Sequence, residues 1–164
     1  MAVRPVVRLP ERVLSERAHE TSGTEDELVR DLIDTMRASP ACVGLAAPQI
    51  GLARRAIVVD VTGHKKTTTC HGMVVLLNPV LVAESGRELG REGCMSVPDF
   101  TANVARATAV TVGGIGADGE GVVLETDGFE ARAFQHEIDH LDGLLILDRV
   151  ASLATDVFHR KVYE

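Results

Sequence analysis

The amino-acid sequence predicts an α+β fold with antiparallel sheets. Three observations carry this reading: only two stretches have helical periodicity, the other apolar runs are of strand length, and helices do not alternate with strands as a βαβ repeat requires. The first helix is expected over Thr24–Ala38, where Leu28, Leu32, Ile33 and Met36 fall on one stripe. Thr24 and Glu27 have capping-box spacing, and the acidic first turn suits the helix macrodipole. Ser39-Pro40 ends this helix, because a residue before proline resists the α region. Cys42–Gly51, rich in Gly, Ala and Pro, reads as a loop or short extended segment. Arg55–Val61 and Met73–Leu77 read as strands on either side of the polar stretch Thr62–Gly72. Asn78-Pro79 interrupts, and Val80–Ala83 resumes as a short strand. Ala107–Val112 and Gly121–Thr126 read as a strand pair around the turn-rich Gly113–Gly119. Asp127 and Glu130 open a second helix with capping-type spacing, and Gly143 stops it after Leu141.

At 164 residues and 17.6 kDa the chain suits a single domain, residues 1–164, with no repeat or linker dividing it. Lys and Arg number 17 against 24 Asp and Glu, a net charge of −7. That balance argues against direct nucleic-acid binding, which needs a cationic surplus to neutralise phosphates. Four Phe, one Tyr and no Trp also leave few platforms for stacking bases. The apolar runs fall far short of the roughly 20 residues of a membrane span. Met1–Pro5 lacks the apolar stretch of a signal peptide, so the expected location is cytoplasmic with no membrane partner. Cys42, Cys70 and Cys94 are an odd number and too few for a disulfide framework, which leaves free thiols or a metal ligand.

The chemistry concentrates in Gln135-His136-Glu137-Ile138-Asp139-His140. On a helix, residues four apart project from one face, so His136 and His140 can share a Zn2+- or Fe2+-sized ion. Glu137 lies about 100° round that helix, beside the ion's open position, where it can take a proton from water. The plain alternative is two surface histidines on a charged helix. Asp139 reads either as a solvated carboxylate or as an acceptor fixing a histidine tautomer. A catalytic tetrahedral site needs a third protein ligand, and the usual downstream ones are missing: Ile146 stands where a metzincin would have His. His159 has no spacing to recommend it. Upstream, Cys94 follows a glycine in Glu92-Gly93-Cys94-Met95-Ser96, at what reads as a strand end or tight turn. Alone it would read as a small buried hydrophobe; beside a His-Glu-x-x-His lacking its third ligand it reads as that ligand.

Three segments together, Gly44-Leu45-Ala46-Ala47-Pro48-Gln49, Glu92–Ser96 and Gln135–His140, resemble in order and spacing the signature motifs of the peptide deformylase family. Ile50-Gly51, Asn78-Pro79, Arg106 and Leu141–Gly143 extend the resemblance over nearly the whole chain. It implies antiparallel sheets packed around a central metal-binding helix, and removal of formyl from the N-terminal methionine of nascent polypeptides. By the same resemblance, Cys94, His136 and His140 would hold one divalent ion, Fe2+ foremost, with Zn2+, Ni2+ or Co2+ as substitutes. Glu137 would serve as general base and then as acid, while the Gln49 side chain and the Met95 backbone N–H would stabilise the oxyanion. Gly44 and Leu45 would present backbone to an extended formylated peptide, and Glu92 and Arg106 would form a structural ion pair. A transient ribosome contact is compatible with this activity, although no basic tail marks one.

The chain departs from the family pattern at two positions: Cys42 stands where the first motif usually has glycine, and Met95 where the second usually has leucine. Cys42 would narrow the substrate groove or place a reactive thiol near the ion. Met95 should be mild, because the role rests on backbone. Alternatives are a hydrolase of the same fold acting on another N-acyl compound, a catalytically silent metal-binding homologue, and a zincin-type protease. Glu137 and Gln49 speak against the silent homologue. His64, Cys70 and His71 are too irregularly spaced for a second metal site, and no helix follows Gly113–Gly119 to make it a phosphate cradle.

Overall fold

A computed structural model describes residues 2–22 and 25–160 of the chain. Eight strands form two antiparallel sheets: β1 (Gly44–Ala46), β2 (Ala56–Val59), β3 (Val74–Ser85), β4 (Glu88–Cys94), β5 (Val97–Arg106), β6 (Ala109–Ile115), β7 (Gly121–Asp127) and β8 (Val157–His159). One sheet has the order β1-β2-β3-β6-β7, the other β4-β5-β8. The helices are α1 (Asp26–Ala38) and α2 (Gly128–Leu141).

The continuous apolar run of β2 has a simple cause: both of its faces are covered. Ile57 and Val59 join Leu76, Val110 and Val112 beneath Phe134, Ile138 and Leu141 of α2. Ala56 and Val58 face the other way, onto Leu28, Leu32 and Met36 of α1. Period-two alternation in one strand thus serves two cores. The three-stranded sheet closes a third core, where Val97, Ala102 and Val104 meet Leu14, Leu145 and Ile146. Arg132 of α2 donates to the carbonyls of Glu88 and Val104, which ties the helix to this second sheet as well. The expected arrangement of antiparallel sheets about a central helix is therefore present.

Several elements differ from expectation. Asn78-Pro79 does not separate two strands; β3 runs through it with a shift of register between Leu77 and Val80. Asn78 takes φ +49, a conformation asparagine tolerates better than most residues. Its side chain accepts from the Thr21 N–H at 2.8 Å and donates to the Thr21 carbonyl at 3.0 Å, like a strand neighbour. The missing N–H of Pro79 falls at the bulge, where no ladder bond needs it. β4 and β5 escaped the sequence reading, because the side chains they bury include Glu92 and Arg106, which break the apolar alternation. Cys42–Gly51 resolves into β1 followed by a 3-10 turn, Ala47–Ile50. The capping box assigned to Thr24 lies outside the described residues, and α1 begins at Asp26. Asp127 precedes α2 without a side-chain capping bond, and Glu130 turns inward to accept from Thr126 Oγ1 at 2.7 Å and from the His71 N–H at 2.7 Å. Of the turn expected over Gly113–Gly119, only Gly116–Gly119 is a hairpin turn; Gly113, Gly114 and Ile115 belong to β6 and pair with β7. Among the described residues, no helix is long and apolar enough to cross a membrane.

Gly143 ends α2 at φ +76, and a Cβ there would lie 2.7 Å from the Ser15 carbonyl. Strain and backbone overlap would act together, so Gly143→Ala is expected to lower the thermal midpoint by roughly 3–10 °C. An unchanged midpoint in calorimetry would contradict this packing.

Candidate metal centre

Helical periodicity brings His136 and His140 to one face of α2, with ring centroids 5.1 Å apart. β4 delivers the third side chain. Its register with β5 shifts between Gly93 and Cys94, and Met95-Ser96 turns the chain into β5, so Cys94 ends the strand facing α2. Cys94 Sγ lies 3.4 Å from His140 Nε2, and one ligand atom from each of Cys94, His136 and His140 lies within 4.8 Å of the others. No other trio of His, Cys, Asp or Glu among the described residues converges in this way. His159 sits instead on β8 beside Phe100, and Cys70 is exposed near Thr62.

Whether these three side chains fit an ion can be judged from their chemistry. A tetrahedral ion with sulfur at about 2.3 Å and nitrogen at about 2.05 Å holds those two atoms roughly 3.6 Å apart, close to the separation observed here. Burial alone would keep the Cys94 thiol protonated. The charge of His140 and hydrogen bonds from His136 and His140 outweigh it, and the thiol is held well below its ordinary range. His140 Nδ1 is buried without a hydrogen-bond partner. A softened thiolate and two imidazoles at bonding separation suit a divalent transition metal.

The carboxylate that orients this group is Glu92. Its Oε1 lies 2.8 Å from His136 Nδ1, which turns Nε2 toward Cys94. The same carboxylate accepts from Arg106 at 2.9 and 3.0 Å and from Arg132 at 2.7 Å, all in the interior. Asp139 takes neither role foreseen for it: it is buried and paired with Arg106 and Arg149, and it does not touch a histidine. Arg132 was missed in the sequence, although its position one turn before His136 places it on the same helical face. Ser96 was missed too, having only its proximity to Cys94 as a signal.

Glu137 is buried next to the cluster, and its Oε2 has no hydrogen-bond partner. Burial raises its pKa above the ordinary carboxylate value, the two imidazoles pulling the other way. Gly44 of β1 comes so close that a Cβ there would lie 2.9 Å from Glu137 Oε1. Gln49, in the 3-10 turn after β1, accepts from the Ala46 N–H at 3.0 Å, which aims its amide N–H toward Ser96 Oγ at 3.2 Å and Cys94 Sγ at 3.5 Å. A cavity of about 320 Å³ opens over these groups, with Gly44, Gln49, Cys94, Met95, His136 and Glu137 in its wall. Leu45 is not part of that wall; its side chain is fully buried in the α1 core. Cys42 does line the cavity, but not as a reactive thiol. Burial, then the charge of Glu137, pushes its pKa up to about 12, and Sγ donates to the Gly44 carbonyl at 3.1 Å.

A His-Glu-x-x-His helix facing a strand-end cysteine, inside two antiparallel sheets, defines a metallohydrolase of the α+β class. The chain belongs to the polypeptide deformylase family, whose sequence profile matches residues 3–156. The peptide deformylase of Desulforudis audaxviator is 44% identical over 165 residues, covering 98% of this chain and 99% of that protein. A crystal structure of peptide deformylase from Ehrlichia chaffeensis in complex with actinonin superposes with a TM-score of 0.86 at 30% identity, over 94% of this chain and 92% of that one. A Met-Ala-Ser-bound peptide deformylase from Acinetobacter baumannii gives 0.80 at 34% identity, over 91% and 99%. The family uses a divalent metal.

Burial works against the Glu92 carboxylate, but hydrogen bonds from His136 and Arg106, followed by their charges, hold it well below the usual range. A carboxylate depressed in the fold stabilises fully above its unfolded pKa of about 4.3, and that contribution is lost as pH falls through the folded value. Glu92→Gln is therefore expected to cost about 3–5 kcal/mol at neutral pH, because it removes the buried carboxylate shared by Arg106, Arg132 and His136 and leaves Arg106 with Asp139 alone. It should also flatten the acid limb of stability below about pH 4. Urea unfolding across pH checks both; an acid limb as steep as wild type would refute the linkage.

Proposed function

We propose that this chain is a divalent-metal-dependent deformylase, one domain over residues 1–164, removing the N-formyl group from formylmethionine at the start of nascent polypeptides in the cytoplasm. The observation that carries this reading is the buried trio Cys94, His136 and His140 beside the unpartnered carboxyl oxygen of Glu137. The likeness to the Met-Ala-Ser-bound structure supports a peptide in the cavity. Cys94, His136 and His140 are assigned as the ligands, with Fe2+ the expected ion and Zn2+, Ni2+ or Co2+ as substitutes.

An ion held by Cys94, His136 and His140 would acidify water and polarise the substrate carbonyl. Glu137 then takes the proton released as water adds to the formyl carbon, and returns it to the departing amine as the C–N bond breaks, giving formate and a free N-terminus. Gln49 Nε2 donates to the oxygen on which charge develops, with its geometry set beforehand by the Ala46 N–H, and the Met95 backbone N–H is assigned the second donation. Gly44 offers main chain to an extended peptide, and Leu45 contributes only backbone. Cys42 and Met95 line the cavity, and rejection of acyl groups bulkier than formyl would have to come from a clash there, since one methyl in a roomy pocket is worth only about 1–3 kcal/mol. A brief ribosome contact would bring the substrate.

Glu137→Gln is expected to lower kcat on formyl-Met-Ala-Ser by about 10²–10⁴-fold while the metal content stays at one ion per chain. Cys94→Ala should lose the ion under mild chelation. Full activity in Glu137→Gln, or full metal retention in Cys94→Ala, would refute the assignment. Gly44→Ala displaces the Glu137 carboxyl by its Cβ, and is expected to lower kcat at least tenfold with an unaltered circular dichroism spectrum.

A further inference from the structure

The chain is acidic, with a net charge of −7, yet the cavity over the metal centre is walled by five cations: Lys65, Lys66, Arg91, Arg132 and Arg160. Among the described residues, only two carboxylates share that wall. Glu92 is neutralised by Arg106, Arg132 and His136, and Glu137 is buried at the floor. Arg132 is used up on Glu92, but Lys65, Lys66, Arg91 and Arg160 form no ion pair among the described residues. All four are exposed at the rim.

Their placement is built into the fold. Arg91 stacks over the Phe158 ring at 3.6 Å, and its Nε donates to Asn103 at 3.0 Å. Arg160 reaches the Cys94 carbonyl at 3.3 Å, over Gly93, where a Cβ would lie 2.8 Å from the guanidinium. The loop carrying Lys65 and Lys66 is pinned at three points. His64 stacks on Phe129 at 4.3 Å, Thr67 Oγ1 donates to the Val61 carbonyl at 2.7 Å, and His71 Nδ1 lies 2.5 Å from buried Glu130. The Lys66 ammonium lies 5.9 Å from the centre of the Phe129 ring. Oriented, unneutralised cations around a concave, partly desolvated site focus a positive potential into it.

We infer that Lys65, Lys66, Arg91 and Arg160 make this site selective for formylated peptides with acidic side chains after the formylmethionine, the exposed rim reading charge while the buried centre does the chemistry. The inference rests on the deformylase reading above and names its preferred substrate class. Carboxylates leaving the cavity gain the rim cations; lysines in the same places are repelled.

The test compares kcat/KM for formyl-Met-Ala-Asp-Asp-amide, formyl-Met-Ala-Ser-Ser-amide and formyl-Met-Ala-Lys-Lys-amide on the metal-loaded enzyme at low salt. The acidic peptide is expected to exceed the serine peptide by about fivefold and the lysine peptide to fall below it by a similar factor, the size of one or two exposed ion pairs. Both ratios should approach one in 1 M NaCl, where the screening length is about 3 Å. In the double variant Lys65→Glu, Lys66→Glu, turnover of the serine peptide should stay within about twofold, which also reports correct folding, while the acidic preference disappears. Equal rates on all three peptides at low salt, or an undiminished preference in the double variant, would overturn the inference and leave deformylation standing. No turnover of any peptide would strike the deformylase reading instead. The rim would then be read by calorimetric binding of Met-Ala-Asp-Asp-amide against Met-Ala-Ser-Ser-amide, where equal affinities would overturn the inference.

Discussion

The buried carboxylate of Glu92 is the constraint on which the rest of this molecule depends. It joins Arg106 of β5 with Arg132 and His136 of α2, and Arg106 passes the connection on to Asp139 and Arg149. The three-stranded sheet and α2 are thereby locked together by charges held largely out of water. Apolar side chains of similar volume would often be as stabilising, but none could fix the tautomer and direction of the His136 ring. Stability is exchanged here for orientation.

Around this lock the molecule divides its labour. The five-stranded sheet and α1 carry no reactive side chain; they present β2 as a rigid slab from which β1 and the turn bearing Gln49 project. The three-stranded sheet supplies the thiol. Where the two meet, α2 presents its histidines to one sheet and Phe134, Ile138 and Leu141 to the other. The closeness of Gly44 to Glu137 shows how little slack remains: one methyl group at the strand edge would occupy the space of the base.

How much of this could be read beforehand depended on whether the signal was local. The stripe of α1, the apolar run of β2 and the His136–His140 spacing are each set by a handful of neighbouring residues, and each appeared in the structure near its expected place. Cys94 was legible only because a motif elsewhere lacked a ligand. β4 and β5 were not, since Glu92 and Arg106 occupy inward positions that a strand pattern reserves for apolar residues. The continuity of β3 through Asn78-Pro79 depends on a distant partner, Thr21, which no local window contains. The fate of Asp139 likewise depended on Arg106 and Arg149 folding back upon it, and the muted chemistry of Cys42 on how deeply a strand edge happens to lie.

The thiol and the second imidazole are 46 positions apart, joined through a crossing from one sheet to the other. A chelate ring of that span has no counterpart in the unfolded chain, where loop closure would oppose it. The three ligands come together only in the assembled fold, so any ion they hold stabilises that fold over the unfolded chain, and removing it lowers resistance to unfolding by the same linkage.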